Sequence, residues 1–147
     1  MNYYKILLVA IFLMGINFSF AQEWKSDFNV AKEIAKKENK PIILVFQGSD
    51  WCAPCIKLDR EVWSTEEFKK YAKGHYVMLQ ADFPRKKKNA LPETQAKANA
   101  KLASLYNQRG IFPFVVVLDE NGEVKGETSY KKMNPKEYIN LLDSFSK

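Results

Sequence analysis

The apolar run IILVF, Ile42 to Phe46, most constrains what this chain can fold into. It has no polar alternation and is rich in β-branched residues, the pattern of a strand covered on both faces. Such a strand needs helices on either side, and the flanking sequence supplies them. Before it, Phe28, Ala31, Ile34 and Ala35 recur at helical spacing between Asp27 and about Lys37, and Asn39-Lys40-Pro41 breaks that helix. After it, a second helix starts at the pair Cys52 and Cys55 and carries Ile56, Leu58 and Val62. Ser64-Thr65-Glu66-Glu67 has capping-box spacing, so this helix is expected to break there and restart, ending at Gly74.

The same alternation continues. Tyr76 to Phe83 reads as a strand, Pro84 to Pro92 as a polar connection, and Glu93 to about Gln108 as a helix rich in Ala, Lys, Leu and Gln. Phe114 to Asp119 is another buried strand; Glu120-Asn121-Gly122 turns it back into EVKGETSY as a hairpin. Asn134-Pro135 supplies the cap and first-turn proline of a last helix to about Phe145, with Tyr138, Leu141, Leu142 and Phe145 on its apolar face. The order α-β-α-β-α-β-β-α predicts an α/β fold: a central mixed sheet with helices on both faces, parallel pairing of the apolar strands and an antiparallel hairpin at the edge.

Residues 1–21 read as a signal peptide. Lys5 is followed by an apolar run from Ile6 to about Ile16 and then by Ser19-Phe20-Ala21, which places cleavage after Ala21. The run is short for a membrane span of about 20 residues, and no lipid-attachment cysteine directly follows it. Residues 22–147 are therefore expected to be one exported domain, periplasmic or secreted, monomeric and without a stable membrane anchor. The whole chain carries a net charge of +6, of which the leader removes only Lys5. An exported protein of this charge is not expected to meet nucleic acid. Its visible cluster, Arg85-Lys86-Lys87-Lys88, reads as a solvated loop, with docking to an acidic partner or an anionic membrane as the sharper alternative.

Cys52 and Cys55 are the only cysteines. Zinc needs about four ligands and His75 is the sole histidine, so no metal is expected. Covalent haem would need histidine where Ile56 stands, and no cofactor is expected. A staple across so small a loop restricts the unfolded chain little. A redox pair fits better: the first cysteine at a helix start faces unpaired N–H groups and the positive end of the helix dipole, which stabilise a thiolate. Cys52 is then the nucleophile and Cys55 the shielded resolving thiol.

WCAPC after an apolar strand, with GIFPFVVVLDENGEV farther along, resembles the thioredoxin family, and most resembles the exported thioredoxin-like proteins of bacteria. The resemblance runs over residues 22–147 in order. It implies a cis Pro113 facing the cysteine pair, a backbone β-bridge from Phe112 to the substrate chain, and Trp51 as a cover over the reactive sulfur. Phe46, six residues before Cys52, replaces the buried aspartate of thioredoxin, and Ile56 replaces the lysine usual after the second cysteine. Asp50 is the nearest alternative proton acceptor, though a loop position beside Trp51 suggests a solvated acid; Asp59 and Glu61 follow on the helix. The connection through Arg85 to Pro92 is longer than in thioredoxin.

Ala53-Pro54 resembles the dipeptide of reducing members and lacks the histidine of oxidising and isomerising ones. The expected activity is reduction of disulfide-containing protein substrates, recharged by a membrane thiol electron donor. The alternatives are disulfide oxidation or isomerisation, or a binding module whose disulfide is idle.

Overall fold

In a computed structural model, residues 22–146 are described. The segment assigned as a leader, residues 1–21, lies outside the described residues. Helix α1 (Phe28–Glu38) is capped by Asp27, which accepts the N–H groups of Asn29 and Val30. Asn39, in the left-handed region at φ 53°, ends it and turns the chain into strand β1 (Ile42–Gln47). The cysteine pair opens α2 (Ala53–Leu58), which widens into a π-helical turn, Asp59–Trp63. Helix α3 (Glu66–His75), strand β2 (Val77–Asp82) and a single 3₁₀ turn at Lys87–Asn89 follow. Then come α4 (Glu93–Tyr106), β3 (Phe114–Leu118), β4 (Val124–Thr128) and α5 (Pro135–Phe145), the last with a complete capping box between Asn134 and Glu137. No helix among the described residues is long and apolar enough to cross a membrane.

The sheet order is β2-β1-β3-β4. β1 pairs parallel with β2 (Ile42 opposite Val77, Gln47 opposite Asp82) and antiparallel with β3 (Phe46 opposite Phe114). The expected parallel pairing thus holds for only one side of β1. An apolar run buried on both faces reads the same in either direction, so its pattern carries no information about polarity. The segment 107–113 brings the chain back so that β3 starts beside the end of β1. Before α1, Lys25 adds a parallel bridge on the far edge of β2.

Alternation along β1 divides the core. Ile43 and Val45 face α2, its π turn, α3 and α5, packing with Leu58, Val62, Trp63, Phe68 and Tyr138. Ile42, Leu44 and Phe46 face α1 and α4, packing with Ala31, Ala35 and Leu102. The π turn, invisible to a reading based on 3.6 residues per turn, is closed by the Ser64 N–H donating to the Asp59 carbonyl at 2.8 Å. It swings Trp63 inward, against Phe68 (ring centroids 4.8 Å), Tyr138 (5.3 Å) and Trp24 (6.1 Å). The helix does restart at the expected place, but Thr65 rather than Ser64 is the cap, accepting the Phe68 N–H, and α3 runs through Gly74 to His75.

Trp63 is 2% exposed and packs its ring on Phe68, Tyr138 and Trp24, so Trp63→Ala should cost about 3–5 kcal/mol. Urea unfolding would show this as a lowered midpoint at an unchanged slope.

Candidate active site

Gln47 ends β1 and the chain enters a five-residue loop, Gly48 to Cys52, before α2 begins. The Gly48 carbonyl accepts the N–H groups of Trp51 (3.3 Å) and Cys52 (2.9 Å), closing the loop on itself. A Cβ at Gly48 would overlap the Trp51 indole, so only glycine lets that ring fold back here. Cys52 caps α2 in an extended conformation, and Pro54 falls in the first turn, where its missing N–H has no partner to lose.

Cys52 and Cys55 are joined as a disulfide, Cα atoms 5.2 Å apart. The Cys55 N–H donates to Cys52 Sγ at 3.3 Å. Both residues are almost fully buried, Cys52 3% and Cys55 4% exposed, so shielding alone does not single out Cys55 as the sequence suggested. The backbone draws the distinction: Cys52 Sγ sits at the helix start and receives an N–H, which favours negative charge on that sulfur.

A cavity of about 300 Å³ opens beside Cys55, lined by Trp24, Gln47, Ser49, Ile56, Asp59 and Gln80. Gln47 Nε2 donates to Gln80 Oε1 across it (3.3 Å). Phe46, six residues before Cys52, does not line it. Phe46 points to the α1/α4 layer, its ring 6.4 Å from Phe114. Val45 is the strand residue facing α2, and Gln47 is the next residue on that side. The α2 side of β1 still carries no carboxylate.

The redox loop is latched to the chain that leaves β2. Asp82 accepts the Ser49 N–H (2.9 Å) and hydroxyl (2.6 Å); Trp51 Nε1 donates to the Phe83 carbonyl (2.7 Å). Asp50 accepts the backbone N–H groups of Arg85 (2.9 Å) and Lys86 (3.0 Å) and the Asn89 side-chain amide (2.9 Å). Asp50 is therefore a clasp rather than a loosely solvated acid. The Arg85 N–H, with the Asn89 amide and the Lys86 backbone and charge, holds its carboxyl down at about 2. Arg85 lays its guanidinium over the Trp51 ring, 3.6 Å from the centroid. Trp51 and Phe83 each meet the half-buried Phe112 edge-on, with centroids 5.5 Å apart in both cases.

The Phe112–Pro113 bond is cis and Pro113 is buried. The turn before it is tied by Asn107, whose side chain accepts the Ile111 N–H and donates to the Ile111 carbonyl (2.9 Å each). Buried Asn99 of α4 donates to the Asp82 carbonyl (2.9 Å), anchoring the latch to a helix. The sequence patterns assign no role to Ser49, Asp82, Phe83, Asn89, Asn99 or Asn107. The available signals were weak: an acid closing an apolar strand, and asparagines on an otherwise alanine-rich helix and at its end. Arg85 belongs to the basic cluster Arg85 to Lys88, whose position against Trp51 no sequence period announces.

A family model described as thioredoxin-like matches residues 23–120. A disulfide bond reductase of Chlamydia pneumoniae, DsbH, is 35% identical over 122 residues, covering 83% of this chain and 71% of that one. A solved structure described as DsbH oxidoreductase superposes with a TM-score of 0.77 at 33% identity, covering 84% of this chain and 83% of the other. A disulphide isomerase from Xylella fastidiosa shares the fold at a TM-score of 0.60 and 20% identity, covering 90% of this chain and 99% of that one.

Asp50 titrates low in the fold, against about 3.9 unfolded. Its stabilisation is therefore complete above about pH 4 and is lost as pH falls towards 2. Asp50→Asn should unfold more readily than the wild type near neutral pH, and the gap in urea midpoint should close on acidification through that window.

Proposed function

The chain belongs to the thioredoxin-like family, and we propose that it is an exported thiol–disulfide oxidoreductase that reduces protein disulfides through Cys52 and Cys55. One observation carries the reading: the two cysteines form a disulfide at the head of α2, with Cys52 Sγ receiving the Cys55 N–H. In the reduced form, the Cys52 thiolate attacks one sulfur of a substrate disulfide. A Cys52–substrate disulfide forms, and the other substrate sulfur leaves as a thiolate. Cys55, deprotonated, then attacks Cys52 Sγ and expels the second substrate thiolate. Two electrons pass to the substrate, whose two sulfurs take up protons, and the Cys52–Cys55 disulfide remains.

The Cys55 proton needs a way out. The cavity beside Cys55 is roomy enough for water, and Gln47, Gln80 and Asp59, whose carboxylate accepts the Ser64 hydroxyl, bound it. We assign Asp59, rather than the clasped Asp50, as the acceptor through that space. Asp59→Asn should slow resolution of the mixed disulfide about a hundredfold while leaving its formation unchanged, as rapid-quench measurement of the two steps would reveal.

Trp51, Phe112 and Pro113 form the substrate side, with the Phe112 backbone offered to an extended chain. Ala53, Pro54 and Ile56 (49% exposed) add apolar surface along α2. Reduction rather than oxidation is supported by Ala53-Pro54 and by the named reductase among the relatives. Export rests on the character of residues 1–21, and return of the pair to the dithiol falls to a membrane thiol donor.

The test is insulin reduction with dithiothreitol as the electron source. Wild type should turn over; Cys52→Ser should not, and Cys55→Ser should accumulate mixed disulfides. A wild type no faster than the Cys52→Ser, Cys55→Ser double variant would leave only a binding module. The reduction potential of the pair should fall near thioredoxin's, about −270 mV. A value near about −120 mV would reverse the direction to oxidation.

A further inference from the structure

The segment after β2 places four consecutive cations, Arg85 to Lys88, against the redox loop. All four are exposed, and among the described residues none is joined to a carboxylate by a salt bridge. A free basic loop would place its charge anywhere. This one is fixed by the Asp50 clasp at Arg85, Lys86 and Asn89, and by the Arg85 guanidinium stacked on Trp51. Trp51 is the residue next to Cys52 and touches Phe112, so the basic segment stands beside the disulfide and the Trp51–Phe112 pair. Asp50 offsets one of the four charges, and Asp82, which closes β2, is turned to Ser49.

Resting on the reductase reading, we propose that Arg85 to Lys88 form a specificity wall that selects substrate segments carrying acidic residues beside the disulfide to be reduced. The Phe112 backbone and the apolar surface supply sequence-independent contacts. The wall adds a charge requirement on one flank, which raises the encounter rate and fixes which end of the segment lies towards α4. A planar membrane would meet the same cations, but Arg85 stacked on Trp51 fixes the segment beside the disulfide, which favours a chain lying there.

The test uses two peptides, each with one intramolecular disulfide, identical except that two aspartates on one flank become asparagines. The pre-reduced chain is mixed with each peptide, and its oxidation is followed by tryptophan fluorescence. The expected second-order rate is about tenfold higher for the aspartate peptide at low salt, with the ratio falling towards one at high salt. In the Lys86→Gln, Lys87→Gln, Lys88→Gln variant, which keeps the backbone N–H groups that Asp50 uses, the ratio should also fall towards one. Equal rates for the two peptides with the wild type would overturn the wall and leave the reductase reading standing. Failure to reduce either peptide would bring down the reductase reading itself, and the wall with it. Binding to phosphatidylglycerol vesicles that depends on these lysines, with no peptide preference, would overturn the proposal in favour of a membrane surface.

Discussion

β1 has no face in water. Ile42 to Phe46 are at most 1% exposed, flanked by β2 and β3 and covered by a helical layer on each side. A strand so enclosed cannot carry a polar or reactive group along its length without an unpaired cost. Its chemistry has to begin where it emerges, at Gln47 and Gly48. The loop that follows is held by neither sheet nor helix, yet it must present two sulfurs at a fixed separation. Its position therefore depends on what surrounds the end of β1.

What surrounds it is the chain leaving β2, which emerges alongside because the two strands are parallel and in register. Asp82 holds Ser49, the Phe83 carbonyl holds Trp51, and Asp50 reaches back to hold Arg85, Lys86 and Asn89. The bonds run in both directions, so the redox loop and the basic segment order one another. Asn99 extends the connection to α4. The long connection after β2 is thus half of the site's framework, and its length is what lets it reach around Trp51.

Much of this was legible in the sequence because it is written in periods and caps. Helix α5 begins at the residues its Asn-Pro signal names, and α1 and β1 follow their apolar spacing. Cys52 and Cys55 declare themselves by spacing and context. Strand direction, by contrast, leaves no trace in a run such as FVVVL, and the π turn breaks the period used to find helices. Asp50 and Arg85 are far apart in sequence and joined mainly through backbone N–H groups, which the identity of a side chain does not announce.

The electrostatics of the pair follow from the same clasp. A carboxylate two residues before a thiolate would ordinarily oppose its ionisation, since like charges raise a thiol's pKa. Asp50 is instead engaged by backbone and side-chain donors and stays ionised far below any pH at which a thiol titrates. Its charge is constant across the working range, and the cations it holds in place lie beside it. The Cys55 N–H and the helix start then act on Cys52 Sγ with the nearest acid already balanced. Removing the Asp50 charge would gain little for the thiolate, because the same change would release Arg85 and Lys86 from the redox loop. The acid two residues before Cys52 is tolerable because it organises the positive charge that offsets it.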